Sequence, residues 1–416
     1  MKKIVLYFGD VFWCTNPYVG VSLYYELSKN FEVIPLFGRG DIRLRKEWRG
    51  NEKFWFDKNV FLDLPYIESD DIAKDVAQIN PDLFLLSAQM QFKGPFSARN
   101  RQIKSLGIKI GMWDVGGADA MWCDKDSSGW EYFFSKGKLW KENMVNTEKI
   151  KSKTSVVKMS NQPQENIFIT GTLDFDNLSN EKNPFFDNFH QGKKKFCKKY
   201  GLDPTKPIIA YIPANPAPDK SFMYPSGLSA REALSDINNT LMKIKDLGAQ
   251  ICLKSHPNDY ISSESQNEYF GIHPRSQRGG YKQERYRDPE YKEFTLIEAQ
   301  DGFNLYNLCD LGVTNYSHAG YELFTCKKKC YSYRMKEVDE WHFVDDICEN
   351  VYTDVENGNE LERLISKDLQ AINLEGRKKI EQNTAGKDMF FKNISNIPAY
   401  KLIASKIEDI LENDNQ

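Results

Sequence analysis

The sequence predicts an α/β protein made of two doubly wound, parallel-sheet domains facing a central cleft. Three observations carry that expectation. Short apolar runs alternate with stretches of helical period along most of the 416 residues, the pattern of parallel strands joined by crossover helices. The alternation lapses between Leu178 and Pro207 and then restarts, which splits the chain into two series. The length, with 40% hydrophobic and 28% charged residues, suits two or three domains with real cores and excludes a disordered chain.

In the first domain, residues 1–180, strands are expected at Lys3–Phe8, Phe31–Phe37, Leu83–Leu86, Ile108–Met112, Ser155–Lys158 and Ile167–Thr170. Each is an apolar run too short for a helix and rich in residues that suit a buried strand. Helices are expected at Val21–Lys29, where Leu23 and Leu27 share a face, and at Ile72–Ile79, which Pro81 stops. Residues 181–206 form a partly helical linker with the basic run Lys193-Lys194-Lys195 and the breaker Gly201-Leu202-Asp203-Pro204. The second domain, 207–385, opens on the buried strand Pro207–Pro213. A helix follows, with Ser229 and Glu232 as a capping box, Leu234, Ile237, Leu241 and Ile244 on one face, and Gly248 closing it. Then come strand Gln250–Lys254, a polar insertion, strand Phe294–Ile297, helix Gly302–Cys309, strand Leu311–Thr314, a helix from His318 and a strand at Cys330–Tyr333. Residues 386–416 form a terminal helical segment in which Leu402, Ile403, Ile407, Ile410 and Leu411 recur at helical spacing.

Composition narrows function before any motif does. The 56 Lys plus Arg against 59 Asp plus Glu leave a net charge of −3, which excludes proteins that coat nucleic acid or lie on membranes through bulk positive charge. No apolar run approaches the roughly 20 residues of a membrane span, and the opening Met1–Phe8 is too short for a secretory core, so a cytoplasmic location is expected. The eight cysteines are dispersed and read as reduced, mostly buried thiols. Cys326 and Cys330 stand four apart without a second Cys/His pair of ligand spacing, so no metal site is expected.

In open parallel sheets ligands bind outside the carboxyl ends of the strands, and several loops there carry polar residues. In Leu253-Lys254-Ser255-His256-Pro257-Asn258, His256 can donate to a phosphate oxygen and Pro257 fixes the backbone behind it; a histidine bonded at a strand end is the plain alternative. In Thr314-Asn315-Tyr316-Ser317-His318-Ala319-Gly320-Tyr321-Glu322 a strand turns into a helix. With Ser317 as N-cap, free N–H groups would meet an anion, and small Ala319 and Gly320 would let a diphosphate approach. His318 and Glu322 are i,i+4 and share a face, so Glu322 could accept hydrogen bonds from a ribose diol one turn away. Asn215, in the loop after the first strand of the second domain, and Asp301, before helix Gly302–Cys309, complete the candidates; a Pro-rich turn and a helix cap are their alternatives.

The order strand-Pro-loop, capped helix, Leu-Lys-x-His-Pro, strand, and Cys-Asp-Leu-x-Val-Thr-Asn-Tyr-Ser with Glu322 following resembles the nucleotide-binding half of GT-B glycosyltransferases. It is nearest to bacterial capsule and teichoic-acid-type transferases (CDP-glycerol glycerophosphotransferase, polysialyl- and Kdo-transferase-like) and to UDP-N-acetylglucosamine 2-epimerases. Thr170-Gly171, with Asp176 after four further residues, is similar to a segment these families place at the end of the first domain. The resemblance covers about Ile167 to Tyr333; the earlier residues match as a Rossmann-like architecture. It implies that His256 and Ser317 or His318 contact donor phosphates and that Glu322 holds the ribose. Asn315 replaces the usual acidic residue, so base and sugar are not implied.

An acceptor hydroxyl attacking an anomeric carbon must lose a proton to a base unless the donor phosphate takes it. No histidine precedes position 180, so the first-domain candidates are Asp114 and, second to it, Asp10, each with a turn or cap role as alternative. Trp113 and Trp122 are candidate sugar-stacking faces. The Arg-rich insertion His273–Arg287 could hold a glycan or lipid-linked glycan acceptor, rest on the inner membrane leaflet or bind RNA, although a solvated loop is the commonest explanation of a charge run. The expectation is therefore a metal-independent glycosyltransferase without cofactor, its nucleotide-sugar or CDP-activated donor being a substrate and its acceptor a surface glycan. A nucleotide-sugar 2-epimerase is the alternative, and an RNA-binding protein the alternative of another class; nucleic acid is not the expected partner.

Overall fold

An apolar run without polar alternation forms a strand only where both faces of its sheet are covered, and the chain builds two such sheets. The computed structural model describes residues 1–8, 20–38, 65–88, 94–114, 128–146, 162–173, 175–176, 192–213, 230–254, 293–297, 301–314, 319–333, 352–375 and 397–413. Those up to 176 and from 397 onward belong to one unit, those from 192 to 375 to a second. The expected strand Ser155–Lys158 lies outside the described residues.

In the first unit, strands β1 (Lys3–Tyr7), β2 (Glu32–Gly38), β3 (Ile67–Ser69), β4 (Leu83–Ser87), β5 (Lys109–Trp113), β6 (Tyr132–Ser135) and β7 (Ile167–Ile169) form one sheet in the order β3-β2-β1-β4-β5-β6-β7. All pairs are parallel. Every residue of β4 is buried, as a central strand with helices on both faces requires. Helices α1 (Val21–Leu27), α2 (Ile72–Ile79), α3 (Gly94–Ser105) and α4 (Lys138–Val145) supply the crossovers. Helix α2 is capped by Asp71, whose carboxylate accepts the Lys74 N–H at 3.1 Å. It ends on Asn80 in the left-handed conformation, one residue before the expected breaker Pro81. The sequence pattern did not indicate β3, β6, α3 or α4. Strand β3 has three residues and pairs only with β2, and α3 begins Gly-Pro with few apolar positions.

The second unit holds α5 (Lys193–Tyr200), β8 (Ile208–Ile212), α6 (Ala230–Asp246), β9 (Gln250–Lys254), β10 (Thr295–Ile297), α7 (Gly302–Leu308), β11 (Leu311–Thr314), α8 (Ala319–Thr325), β12 (Lys329–Tyr333), β13 (Thr353–Val355) and α9 (Gly358–Glu375). Its six strands run parallel in the order β10-β9-β8-β11-β12-β13. Helices α6 and α9 cover one face, burying Ile237, Leu241, Ile244, Leu361, Ile365 and Leu369 against the strands. Two tyrosines of β12 tie this layer down: Tyr331 donates to Asp368 of α9, and Tyr333 to Asp236 of α6 at 2.8 Å. Asp236 also accepts the Gly358 N–H at 2.8 Å, at the start of α9. A side chain at Gly358 would collide with Asp236 and Thr240, so the crossing of α6 and α9 requires a glycine there. The described cysteines are free thiols, and Cys197, Cys252, Cys309 and Cys330 are buried. Desolvation pushes the Cys309 thiol up to about 12, which leaves it inert at neutral pH. Cys326 stands in the turn after α8 and Cys330 on β12, so no single helix carries both.

The terminal helix α10 (Ala399–Asn413) belongs to the first unit, where it packs on α1 and buries Ile403, Ile407 and Leu411. Its amino end is capped from 223 residues upstream: the buried Asp176 accepts the N–H groups of Ala399 at 2.7 Å and Tyr400 at 2.9 Å. Gly171, five residues earlier, turns the chain with φ +90°, and its N–H and that of Thr170 bond to the Ser135 carbonyl. The Thr-Gly segment with its distant Asp is thus a clasp for α10. Asp176→Ala is expected to lower stability by about 1–2 kcal/mol, the cost of losing a helix cap, measured by urea denaturation.

Candidate functional site

The strand order of the second unit places its topological switch between β8 and β11. From β8 the chain proceeds outward through β9 to β10, then returns to β11 on the other side. In such a sheet the loops leaving the two strands at the switch diverge and open a crevice at their carboxyl ends. Those loops begin after Ile212 and Thr314 and carry Asn215 and Ser317-His318; the neighbouring loop after Lys254 carries His256-Pro257. These five residues, like Asp10, lie outside the described residues. The edges of the site are described. Thr314, fully buried, donates its hydroxyl to the Ile212 carbonyl at 2.8 Å and so joins the ends of the two switch strands.

Lys254 ends β9 and is almost wholly buried. Its stem lies where a side chain at Gly302 would otherwise stand, and its ammonium is 5.6 Å from the centre of the Tyr306 ring, within cation–π range. Tyr306, on α7, is buried and interacts with Glu322 of α8. Burial first, then the Glu322 charge, raises the phenol well above its ordinary range, so it is a neutral donor. Glu322 itself is the one residue of α8 that is not buried. A helix that is otherwise core keeps a single carboxylate at partial exposure, next to a phenol and one turn from the switch loop. Sequence reasoning singled out Glu322 but overlooked Tyr306, which reads like any core aromatic, and noticed Lys254 only as part of a motif.

Gly320 is where the pattern placed it, at the start of α8, but for another reason. The ring of Tyr352 fills the space a side chain would need, so the glycine admits Tyr352 rather than leaving room for a diphosphate. Asp301 is also redirected. It stands at the N-cap position of α7 without capping the backbone. Its carboxylate instead accepts from Lys199 at 2.7 Å, from the Tyr200 hydroxyl, and from Asn304 at 3.3 Å. It ties α5 to α7 and leaves little capacity for a ligand. Among the described residues no group of His, Cys, Asp and Glu is arranged to hold a metal, and no helix is long and apolar enough to cross a membrane.

In the first unit the switch lies between β1 and β4, so the loop with Asp10 leaves a switch strand, whereas Asp114 follows β5, one strand farther out. Asp114 is fully buried beside an equally buried Lys136, with 3.2 Å between carboxylate and ammonium. Its other oxygen accepts the Lys136 N–H at 3.3 Å, and its carbonyl accepts the Thr172 hydroxyl at 2.7 Å. The ammonium also sits 3.8 Å over the Trp140 ring. A general base must touch the hydroxyl it deprotonates; the expectation for Asp114 is corrected by a geometry that gives it a lysine and no solvent access. Trp113, at 1% exposure, has no free face for a sugar; Trp122 lies outside the described residues.

Two stability measurements follow. Lys136→Met strands a buried carboxylate and is expected to cost about 3–5 kcal/mol, whereas adding Asp114→Asn should recover part of that loss in chemical denaturation. Gly320→Ala is expected to cost about 1–3 kcal/mol through the clash with Tyr352. Combined with Tyr352→Ala, it should cost less than the sum of the two.

No protein-family model matches the chain, and no curated protein matches it by sequence. Solved structures match over nearly its whole length. The UDP-GlcNAc 2-epimerase of Methanocaldococcus jannaschii aligns with a TM-score of 0.56 at 14% identity, covering 98% of this chain and 99% of that one. The UDP-GlcNAc 2-epimerase of Neisseria meningitidis, bound to UDP-GlcNAc, aligns with a TM-score of 0.56 at 12% identity, covering 98% and 100%. The wall teichoic acid polymerase TagF aligns with a TM-score of 0.54 at 14% identity, covering 100% and 90%. At such identity the likeness is one of fold, and with the two parallel sheets it establishes that the chain has the α/β architecture of the GT-B fold.

Proposed function

We propose that the protein is a glycosyltransferase that moves a sugar or polyol phosphate from a nucleotide-activated donor to a surface-glycan acceptor. The observation that supports this is the switch point of the second unit, between β8 and β11, at whose edge stand the buried Lys254 and the partly exposed Glu322; in the sequence Asn215, His256-Pro257 and Ser317-His318 follow β8, β9 and β11. Histidines, a lysine and a helix start suit phosphates; a carboxylate one turn away suits a ribose diol. The basic groups neutralise the departing diphosphate, so the reaction needs no metal. With Asp114 enclosed, Asp10, which follows β1 in the sequence, is the remaining candidate for the acceptor's base. Titration calorimetry against CDP-, CMP-, UDP- and GDP-linked donors is expected to find one that binds, with affinity lowered at least tenfold, about 1.4 kcal/mol, by His256→Ala and by Glu322→Ala. Binding should persist in EDTA. Absence of binding across the panel, or unchanged affinity in both variants, would sink the proposal.

A second reading, a nucleotide-sugar 2-epimerase, is favoured by the M. jannaschii and N. meningitidis structures, whose TM-scores of 0.56 slightly exceed the 0.54 of TagF. It differs in one observable. An epimerase converts its donor with no acceptor present, and proton NMR of UDP-GlcNAc incubated with the protein alone would reveal the new C2 epimer; a transferase leaves the configuration at C2 untouched.

A further inference from the structure

Helix α5 breaks a local rule that its packing does not ask it to break. The amino end of a helix carries a partial positive charge, so the first turn favours acidic side chains. In α5 the first three positions after Gly192 are Lys193, Lys194 and Lys195, with no acidic residue in that turn, and Lys198 and Lys199 follow in the last one. These five lysines divide into two groups. Lys193 and Lys199 are held by aspartates whose side chains are nearly buried, Asp310 at 3.9 Å and Asp301 at 2.7 Å, one near each end of the helix. Phe196 and Cys197 are buried on the same side. At about 100° per residue, Lys194, Lys195 and Lys198 fall on the opposite side, and all three are exposed. Among the described residues no carboxylate stands within ion-pair reach of them. The aspartates thus fix the inner face of α5 and with it the direction of an outer face made of lysine.

We infer that this outer face is a docking surface for an anionic lipid bilayer. An ammonium is a point charge that attracts anions without a fixed geometry, which suits a fluid layer of headgroups better than one recognised phosphate, the task of arginine. The face carries no aromatic side chain, Phe196 being buried, so it is no stacking platform for single-stranded nucleic acid. The apolar stems of the lysines can lie along the boundary while their heads reach the lipid phosphates. Since the whole chain carries a charge of −3, the attraction belongs to a patch and not to the protein at large. The inference stands apart from the donor-site proposal, because contact with a bilayer needs no nucleotide.

The experiment is co-sedimentation of the full chain with vesicles of phosphatidylcholine alone and of phosphatidylcholine with about a third phosphatidylglycerol, where each lysine at the surface is worth about fivefold in affinity. The wild type should bind the anionic vesicles, less so as salt rises, and leave the neutral ones in suspension without it. Lys194→Gln, Lys195→Gln and Lys198→Gln combined should weaken binding by about a hundredfold, and the three corresponding arginine replacements should keep it. Lys194→Glu with Lys195→Glu should abolish binding and raise the melting temperature, because acidic residues match the helix end; a loss of binding is then no sign of unfolding. A wild type that ignores anionic vesicles overturns the inference, and so does a glutamine variant that binds as the wild type does. Retention of the wild type on single-stranded RNA but not on vesicles overturns it as well. A failed donor titration has no bearing on any of these outcomes.

Discussion

Parallel pairing is the constraint on which both units depend. A parallel strand cannot return through a tight turn, so each connection crosses over the sheet, the crossovers cover both faces, and the strands between them lose all polar alternation. That is why β4 has no exposed residue and why the Lys254 ammonium has to be carried at the last position of β9. Polar side chains are driven to the carboxyl ends, where the backbone emerges from the sheet. There they are still largely out of water, and each must be satisfied by a neighbour brought in from elsewhere in the chain.

The two sheets meet this requirement in different ways. At the carboxyl end of β5 the first unit encloses Asp114 completely, with an ammonium, a backbone N–H and an aromatic face over the cation. Such a network is closed, and it fixes β5, β6 and the turn at Thr172 in one arrangement. At the carboxyl end of β9 the second unit leaves Tyr306 without a bond of full geometry and Glu322 with part of its surface in water. Both networks consist of a lysine, a carboxylate and an aromatic ring, and they differ in exposure, Asp114 being fully buried and Glu322 partly exposed.

Legibility followed burial and sequence separation. Central strands such as β9 and β11 were readable to the residue, because a run like Gln250-Ile251-Cys252-Leu253-Lys254 has few alternatives. Of the four three-residue edge strands, β7 and β10 were indicated by their apolar runs, whereas β3 (Ile67-Glu68-Ser69) and β13 (Thr353-Asp354-Val355) each hold a single apolar residue and were not. Helix α9 shows Leu361, Ile365, Leu369 and Ile372 on one face, a pattern present in the sequence and overlooked. Within the candidate site, Glu322 drew notice through its i,i+4 spacing from His318. Asp114 and Asp301 misled because their partners lie 22 and about 100 residues away, and no local spacing announces a buried ion pair. Tyr306 differs from a core phenylalanine by one oxygen, and only the fold shows what that oxygen faces.

The clasp between Asp176 and α10 has a consequence for the order in which the molecule can be made. Synthesis proceeds from the amino end, so the surface of α1 that α10 covers, and the carboxylate that caps it, exist before their partner does. The ribosome must add 223 residues, including every strand of the second sheet, before Ala399 emerges, roughly 10–45 s at ordinary elongation rates. During that interval the first unit has an exposed apolar stripe and an uncapped binding position for a helix. The first unit is therefore completed only after the strands of the second have been made, although β1 precedes them all.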